Sequence, residues 1–272
     1  MRSVEGKRVL VTGAAMGLGK LFAARAVQEG ASEVVLWDID AAGLDETLQE
    51  LSGGSSTVNG YVVDVSSADE IDATAAAVLQ EVGEIHVLIN NAGVVHGNSY
   101  FWEPDDTADI ERTMAINAIA PMLTTRAFLP GMIDSDAECR LMTVASSAGL
   151  VANPRMAIYA ASKWAAIGWS DSVRLELEQA GYPRIKVTTV CPTYINTGMF
   201  DGAEGILFTP MLEQQDVVDE AWTRMLKGDP FVIMPWTSRL TRALSGLLPT
   251  GMRDFFLDKT GVYHSMDKFT GH

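Results

Sequence analysis

Residues 8–19 read RVLVTGAAMGLG, an apolar β-branched run that stops at a glycine-rich turn. The residues that follow, 18–29, repeat their apolar positions with a helical period. Strand, glycine turn and helix together open a βαβ unit. Gly13, Gly17 and Gly19, with Met16 and Leu18 between them, let backbone N–H groups approach an anion at the helix N-terminus. The helix dipole favours negative charge there. The spacing is Gly-x-x-x-Gly-x-Gly, so taken alone the turn also suits an ordinary tight connection.

Working outward, further strands are expected at 33–37, 58–63, 87–89, 140–144, 186–191 and 231–234. Helical patterns fill the gaps at 44–51, 70–82, 107–119, 121–133, 158–179 and 215–227. Uninterrupted strand–helix alternation implies an α/β fold, a doubly wound parallel sheet of about seven strands flanked by helices. RVLVTG, HVLIN and VTTVC are apolar almost throughout, as strands buried on both faces are. No composition break marks a linker, so residues 1–272 are read as a single domain.

The second strand ends at Asp38, with Ile39 after it, about twenty residues past the glycine turn. A carboxylate there can accept both ribose hydroxyls of a dinucleotide. No arginine follows in DIDAAG to meet a 2′-phosphate, so NAD is expected rather than NADP. Asp64 and Val65 close the third strand, where they could meet an adenine edge and face. Asn91, Ala92 and Gly93 close the fourth, with an amide to tie strands and small residues to admit a flat ring.

Residues 157–181, AIYAASKWAAIGWSDSVRLELEQAG, predict a long helix with Tyr159 and Lys163 one turn apart near its start. Its apolar face is expected to include Ile158, Ala161, Ala165, Ile167, Trp169, Val173, Leu175 and Leu177. Ser146 precedes Tyr159 by thirteen residues, with Ser147 as the neighbouring candidate. Asn117 falls inside a helical pattern, where its amide competes for backbone hydrogen bonds. A phenol of pKa ~10 is a poor base at neutral pH. The Lys163 ammonium and a positive nicotinamide ring would both favour phenolate and bring that value down.

TGAAMGLG, DV at 64–65, NNAG, IN at 116–117, SSAG and YAASK together resemble the short-chain dehydrogenase/reductase family from about residue 6 to residue 234. VVLWDIDAAGLDETL, TTRAFLPGM and VASSAGLV look closest to its 17β-hydroxysteroid dehydrogenase type 11 and retinol dehydrogenase type 10 group. The resemblance implies an oxidoreductase with Asn117, Ser146, Tyr159 and Lys163 as catalytic residues. Tyr159 would exchange the proton, Ser146 would hold the substrate oxygen, and Lys163 would also hold the ribose. Asn117 would fix a water that relays protons from Lys163. Pro192, Ile195 and Thr197 would border the nicotinamide. The family usually has Pro-Gly after the sixth strand, where this chain has Thr193. The resemblance also implies a homodimer or homotetramer, paired through helices at about 107–133 and 158–179.

Residues 198–212 mix glycines with Met199, Phe200, Ile206, Leu207, Phe208 and Met211 and read as an apolar lid over the substrate. Val95, Tyr100, Phe101, Trp102, Leu150, Val151, Met156 and Tyr194 are the other candidate walls. With no cluster of cations among them, a steroid, retinoid, long-chain or aryl alcohol or ketone suits the site better than an anion. The expected function is therefore NAD(H)-dependent interconversion of a lipophilic secondary or allylic alcohol and its carbonyl. The alternatives are an NADPH-dependent ketone or 3-oxoacyl reductase, which Asp38 opposes, and a silent dinucleotide sensor, which would not need Ser146, Tyr159 and Lys163.

The extension at 236–272 places Leu240, Leu244, Leu247 and Leu248 on one helical stripe. It could lie on a membrane or pack against another subunit; the net charge of −15 favours packing. The same charge, without a basic stripe, excludes a nucleic-acid partner. Cys139 and Cys191 sit in apolar runs and read as free thiols of a reducing compartment. His86, His96, His264 and His272 have no metal-binding spacing. No run reaches the ~18 apolar residues a membrane span needs, and the chain enters its first strand without a leader pattern, so a cytoplasmic protein is expected.

Overall fold

The computed structural model describes residues 1–96, 99–103, 107–196, 205–207 and 209–269. Its strands are β1 (Arg8–Thr12), β2 (Glu33–Asp38), β3 (Thr57–Val62), β4 (Val87–Asn90), β5 (Cys139–Val144), β6 (Ile185–Pro192) and β7 (Phe231–Met234). All neighbouring pairs are parallel, in the order β3-β2-β1-β4-β5-β6-β7. The helices between them are α1 (Gly17–Gln28), α2 (Ala41–Leu51), α3 (Ala68–Glu81), α4 (Thr107–Met114), α5 (Ala120–Asp134), α6 (Ala157–Gln179) and α7 (Gln214–Lys227). Two more follow β7: α8 (Trp236–Leu247) and α9 (Thr250–Lys259).

Alternation along β1 divides the core. Val9 and Val11 face the layer built on Phe22 of α1 and Trp222 of α7, whose rings lie 6.4 Å apart. Leu10 faces the other layer, where Trp37 meets Phe128 of α5 at 5.8 Å. Leu10 and Trp37 are both fully buried, so truncating either to alanine is expected to cost about 2–5 kcal/mol. β3 is the exposed edge, with Val62 59% exposed. The order reverses between β1 and β4, which opens a crevice at the carboxyl ends of the strands.

Three sequence expectations change. The helix expected over 107–119 is α only to Met114 and runs as a π-helix over Ala115–Ile119. Within α6, Ala161 and Leu175 are exposed, and the buried side carries Tyr159, Ser162, Lys163 and Ser170 as well as apolar residues. Ser162 and Lys163 find partners in Asn117 and the Tyr159 and Val144 carbonyls, and Ser170 accepts from Thr189 of β6, which is why the hydrophobic period misplaces the face. Finally, one flank of the extension after β7 folds back over its own chain, where its residues wall a cavity beside β6 and the Ser147 turn. Among the described residues no helix is long and apolar enough to cross a membrane. Cys139 and Cys191 are free and buried.

Candidate active site

The glycine turn is tight by necessity. Gly13 has φ +67°, and a Cβ on it would stand 2.8 Å from Ala92 Cα. A Cβ on Gly19 would lie 1.9 Å from the Gly13 carbonyl oxygen, so α1 can approach β1 only without a side chain. Thr12 and Asn91 bolt the two strand ends together. Thr12 Oγ1 accepts from the backbone N–H of Asn91 at 3.0 Å and of Ala92 at 3.1 Å. Asn91 Nδ2 donates to the carbonyls of Thr12 and Gly13, each at 3.0 Å. No side chain caps α1 and no acid lies in its first turn, which leaves that helix end suited to a pyrophosphate.

Asp38 closes one side of this turn. Its Oδ2 accepts from Ala15 N at 2.8 Å and its Oδ1 from Asp40 N at 3.0 Å, while Asp40 caps α2 through Ala42 N. Two carboxylates therefore stand together at the end of β2, beside the glycine turn. Met16 and Ile39, 65% and 54% exposed, hold apolar side chains beside the Ala15–Asp38 pair. Asp64 spends Oδ1 on its own turn, accepting from Ser66 N and Oγ, and Val65 is half-buried against the α3 layer. The glycine cradle, the uncapped helix and the paired carboxylates fit a dinucleotide.

Gly93 links this cradle to the opposite wall: a Cβ there would lie 3.2 Å from Asn117 Oδ1 and 3.4 Å from Lys163 Nζ. Asn117 is buried in the π-helix. Its Oδ1 accepts from Val94 N at 2.9 Å, and its Nδ2 donates to the Val94 carbonyl at 2.9 Å and to Ser162 Oγ at 3.1 Å. Ser162 in turn donates to the Tyr159 carbonyl at 2.7 Å. The wide turn thus hands an amide to α6, a known use of π-bulges at functional sites. Both amide hydrogens being committed, a water held by Asn117 would use its other atoms.

Tyr159 lies in the first turn of α6, with the Ser146 side chain as a hydrogen-bond partner. Ser146 Oγ also accepts from Ala148 N at 3.1 Å and caps the short turn Ser147–Gly149. Gly149 lets that turn press on α6, since a Cβ would meet the Lys163 carbonyl at 2.7 Å. Lys163 Nζ donates to the Val144 carbonyl at 3.2 Å and stands 5.6 Å from the Tyr159 ring centroid. In the chain by itself burial governs both groups. It pushes the Tyr159 phenol up to about 12 against the pull of the Ser146 hydrogen bond, and the Lys163 ammonium down to about 8. Without a nucleotide, the neighbouring cation does not offset the burial of the phenol.

A small hollow of about 50 Å³ is bounded by Ser146, Tyr159, Asn153, Met156, Thr193 and Tyr194. It shares Ser147, Val151, Thr193, Ile206 and Val262 with a cavity of about 550 Å³. The larger cavity is mainly apolar, walled by Leu150 and Leu207 and by the inner flank of α8 and α9. Behind the hollow, Met266 and Phe269 pack on Tyr159, Met156 and Val95. Tyr194 Oη pins that segment through Ser265 Oγ at 2.7 Å.

Of the expected substrate contacts, Met156 and Tyr194 border the small hollow and Leu207 the larger cavity, while Val95 packs in the cluster with Tyr159. Trp102 does not line either space: the ring is 79% exposed and stacks on Tyr100 at 4.8 Å, a surface pair. Pro192 and Ile195 end the β6 wall, with Ile195 bridged to Leu212. Thr197, Met199, Phe200 and Phe208 lie outside the described residues, as does much of the 198–212 lid. The walls on α8 and α9 and the Ser265–Phe269 segment were missed. Their only sequence signal is the leucine stripe and the FF pair of the extension.

A family profile described as short chain dehydrogenase matches residues 7–204. The chain belongs to the short-chain dehydrogenase/reductase family. As a member, this dehydrogenase is 36% identical over 271 residues to human epidermal retinol dehydrogenase 2, covering 98% of this chain and 86% of that protein. It is 36% identical to human estradiol 17-beta-dehydrogenase 11, with coverages of 91% and 81%. To retinol dehydrogenase 10-B of Danio rerio it is 37% identical, with coverages of 91% and 80%. The crystal structure of a short chain dehydrogenase/reductase from Burkholderia phymatum in complex with NAD superposes with a TM-score of 0.81 at 27% identity, over 91% of this chain and 96% of that one.

Proposed function

We propose that this dehydrogenase interconverts a lipophilic secondary or allylic alcohol and its carbonyl with NAD(H). The observation that carries the reading is the junction of the Ser146–Tyr159 hollow with a large apolar cavity. The names of the relatives, retinol and estradiol dehydrogenases, agree with it.

Ser146 Oγ donates to the substrate oxygen and holds it against the Tyr159 hydroxyl. When bound, oxidised nicotinamide supplies the hydride acceptor and a positive charge. Tyr159 takes the alcohol proton in oxidation and returns it to the carbonyl oxygen in reduction. Lys163 holds the ribose and, with that added charge, offsets the burial that otherwise keeps the phenol protonated. Asn117 acts as a positioning residue, through Val94 and Ser162. Asp38 holds the adenosine ribose, with Asp40 beside it opposing NADP. Met266 and Phe269 keep water from Tyr159. Exposed Ile119, Trp164 and Leu175 supply an apolar face for self-association through the helices at 107–133 and 158–179.

A panel of steroid, retinoid, long-chain and aryl alcohols, followed at the absorbance of reduced nicotinamide, tests the reading. Turnover of bulky apolar alcohols with NAD is expected. Turnover confined to small or charged compounds would contradict it.

A further inference from the structure

Two side chains on the wall of the small hollow, Thr193 and Asn153, each carry a buried oxygen with nothing to bond. Neither Thr193 Oγ1 nor Asn153 Oδ1 has a hydrogen-bond partner among the described residues. The Thr193 backbone is held independently, its N–H donating to the Met234 carbonyl at 3.0 Å. Unpaired polar groups are rare in a folded interior, so both oxygens point to a partner that comes from outside the chain.

A run of hydroxyls fixes what Asn153 can offer. Ser265 Oγ donates to the Val262 carbonyl at 2.8 Å, which leaves it no hydrogen for Tyr194 Oη, 2.7 Å away. Tyr194 Oη is then the donor of that pair and accepts from Asn153 Nδ2 at 3.4 Å. The amide nitrogen is thereby committed to Tyr194, and Oδ1 remains purely an acceptor. Thr193 adds a hydroxyl that can give or take. An acceptor and a hydroxyl on one wall suit a group that both donates and accepts, as an alcohol does.

Size decides where that alcohol sits on the substrate. The hollow has only about 50 Å³ and is bordered by Ser146 and Tyr159, so the reacting carbon shares it. A water molecule occupies about 30 Å³ of liquid, so little more than a CH₂OH group fits beside that carbon. The apolar body must extend into the cavity of about 550 Å³.

We infer that Asn153 and Thr193 form a subsite for a second hydroxyl on the carbon next to the reacting one, so that the substrate is a lipophilic vicinal diol or the matching hydroxy ketone. This rests on the proposed alcohol–carbonyl reaction and narrows its substrate class. Oxidation passes the carbinol hydride to NAD and the hydroxyl proton to Tyr159, giving NADH and a hydroxy ketone. The second hydroxyl is unchanged.

Two probes of equal length test it: dodecane with hydroxyls on its first and second carbons, and dodecane with a hydroxyl on the second carbon alone. For the wild-type enzyme kcat/KM should be at least about tenfold higher with the diol. Thr193→Val removes the unpaired hydroxyl at nearly constant shape. It should erase most of that preference, leave the monohydroxy compound nearly unaffected and keep or raise Tm. Calorimetric titration of the NADH-loaded protein with both probes gives the same comparison without turnover. Oxidation of neither probe would count against the proposed reaction, while tighter binding of the diol would still support the subsite. Equal binding of the two probes, or a preference for the diol undiminished in Thr193→Val, would overturn the inference and leave the two oxygens to water.

Discussion

The ammonium of Lys163 stands 5.6 Å from the ring centroid of Tyr159, one helical turn away, and both side chains are buried. Burial opposes the charged form of each, raising the phenol and lowering the ammonium. Under the proposed function, a bound nucleotide would offset that cost with further charge and hydroxyl partners. Stability and activity pull in opposite directions here.

Lys163→Met should display that opposition. The folded lysine has a pKa of about 8 against an ordinary 10.5, so its burial cost is fully present below about 8 and disappears as pH rises to 10.5. Wild-type stability should gain from this group across that window, and the methionine variant should lack the gain. At pH 7 the variant should be more stable by about 1–3 kcal/mol, less the lost bond to Val144, while turnover collapses. Thermal unfolding at pH 7 and 9.5 checks it; a variant less stable at both values by the same amount would refute the burial argument.

Asp38→Ala removes the carboxylate that Ala15 and Asp40 hold beside the glycine turn. The ratio of kcat/KM for NADP to that for NAD should rise by about tenfold or more, mainly through a lower KM for NADP. Steady-state kinetics with both nucleotides decide it. An unchanged ratio would show that the charge at this strand end does not select the nucleotide.

Leu248 lines the larger cavity from the end of α8. Leu248→Trp should raise KM about tenfold for a steroid-sized alcohol and leave a short-chain alcohol nearly untouched. Equal effects on both substrates would place the bulky part of the substrate elsewhere.

The sheet and its glycine turn were readable because buried strands show as unbroken apolar runs and because Gly13 and Gly19 have no steric substitute. The proximity of Ser146, Tyr159 and Lys163 was readable from spacing, but spacing alone did not show which of Ser146 and Ser147 bonds the phenol. Asn117 could be marked as odd inside a helix, yet a π turn leaves no periodic trace of its own. The extension was the hardest. An amphipathic stripe such as Leu240–Leu244–Leu248 reports an apolar face without saying what covers it, and here its inner side closes the chain's own cavity. Trp102 misled for the converse reason: a large apolar ring beside a strand end can stack on Tyr100 at the surface.

Turnover by Tyr159→Phe, with NADH affinity as the control for a folded nucleotide site, tests the chemistry most directly. A fall in kcat of about 10²–10⁴-fold at nearly unchanged NADH affinity is expected, because only the hydroxyl at the mouth of the hollow is lost. Wild-type turnover by the phenylalanine enzyme would contradict the assignment of the proton to Tyr159.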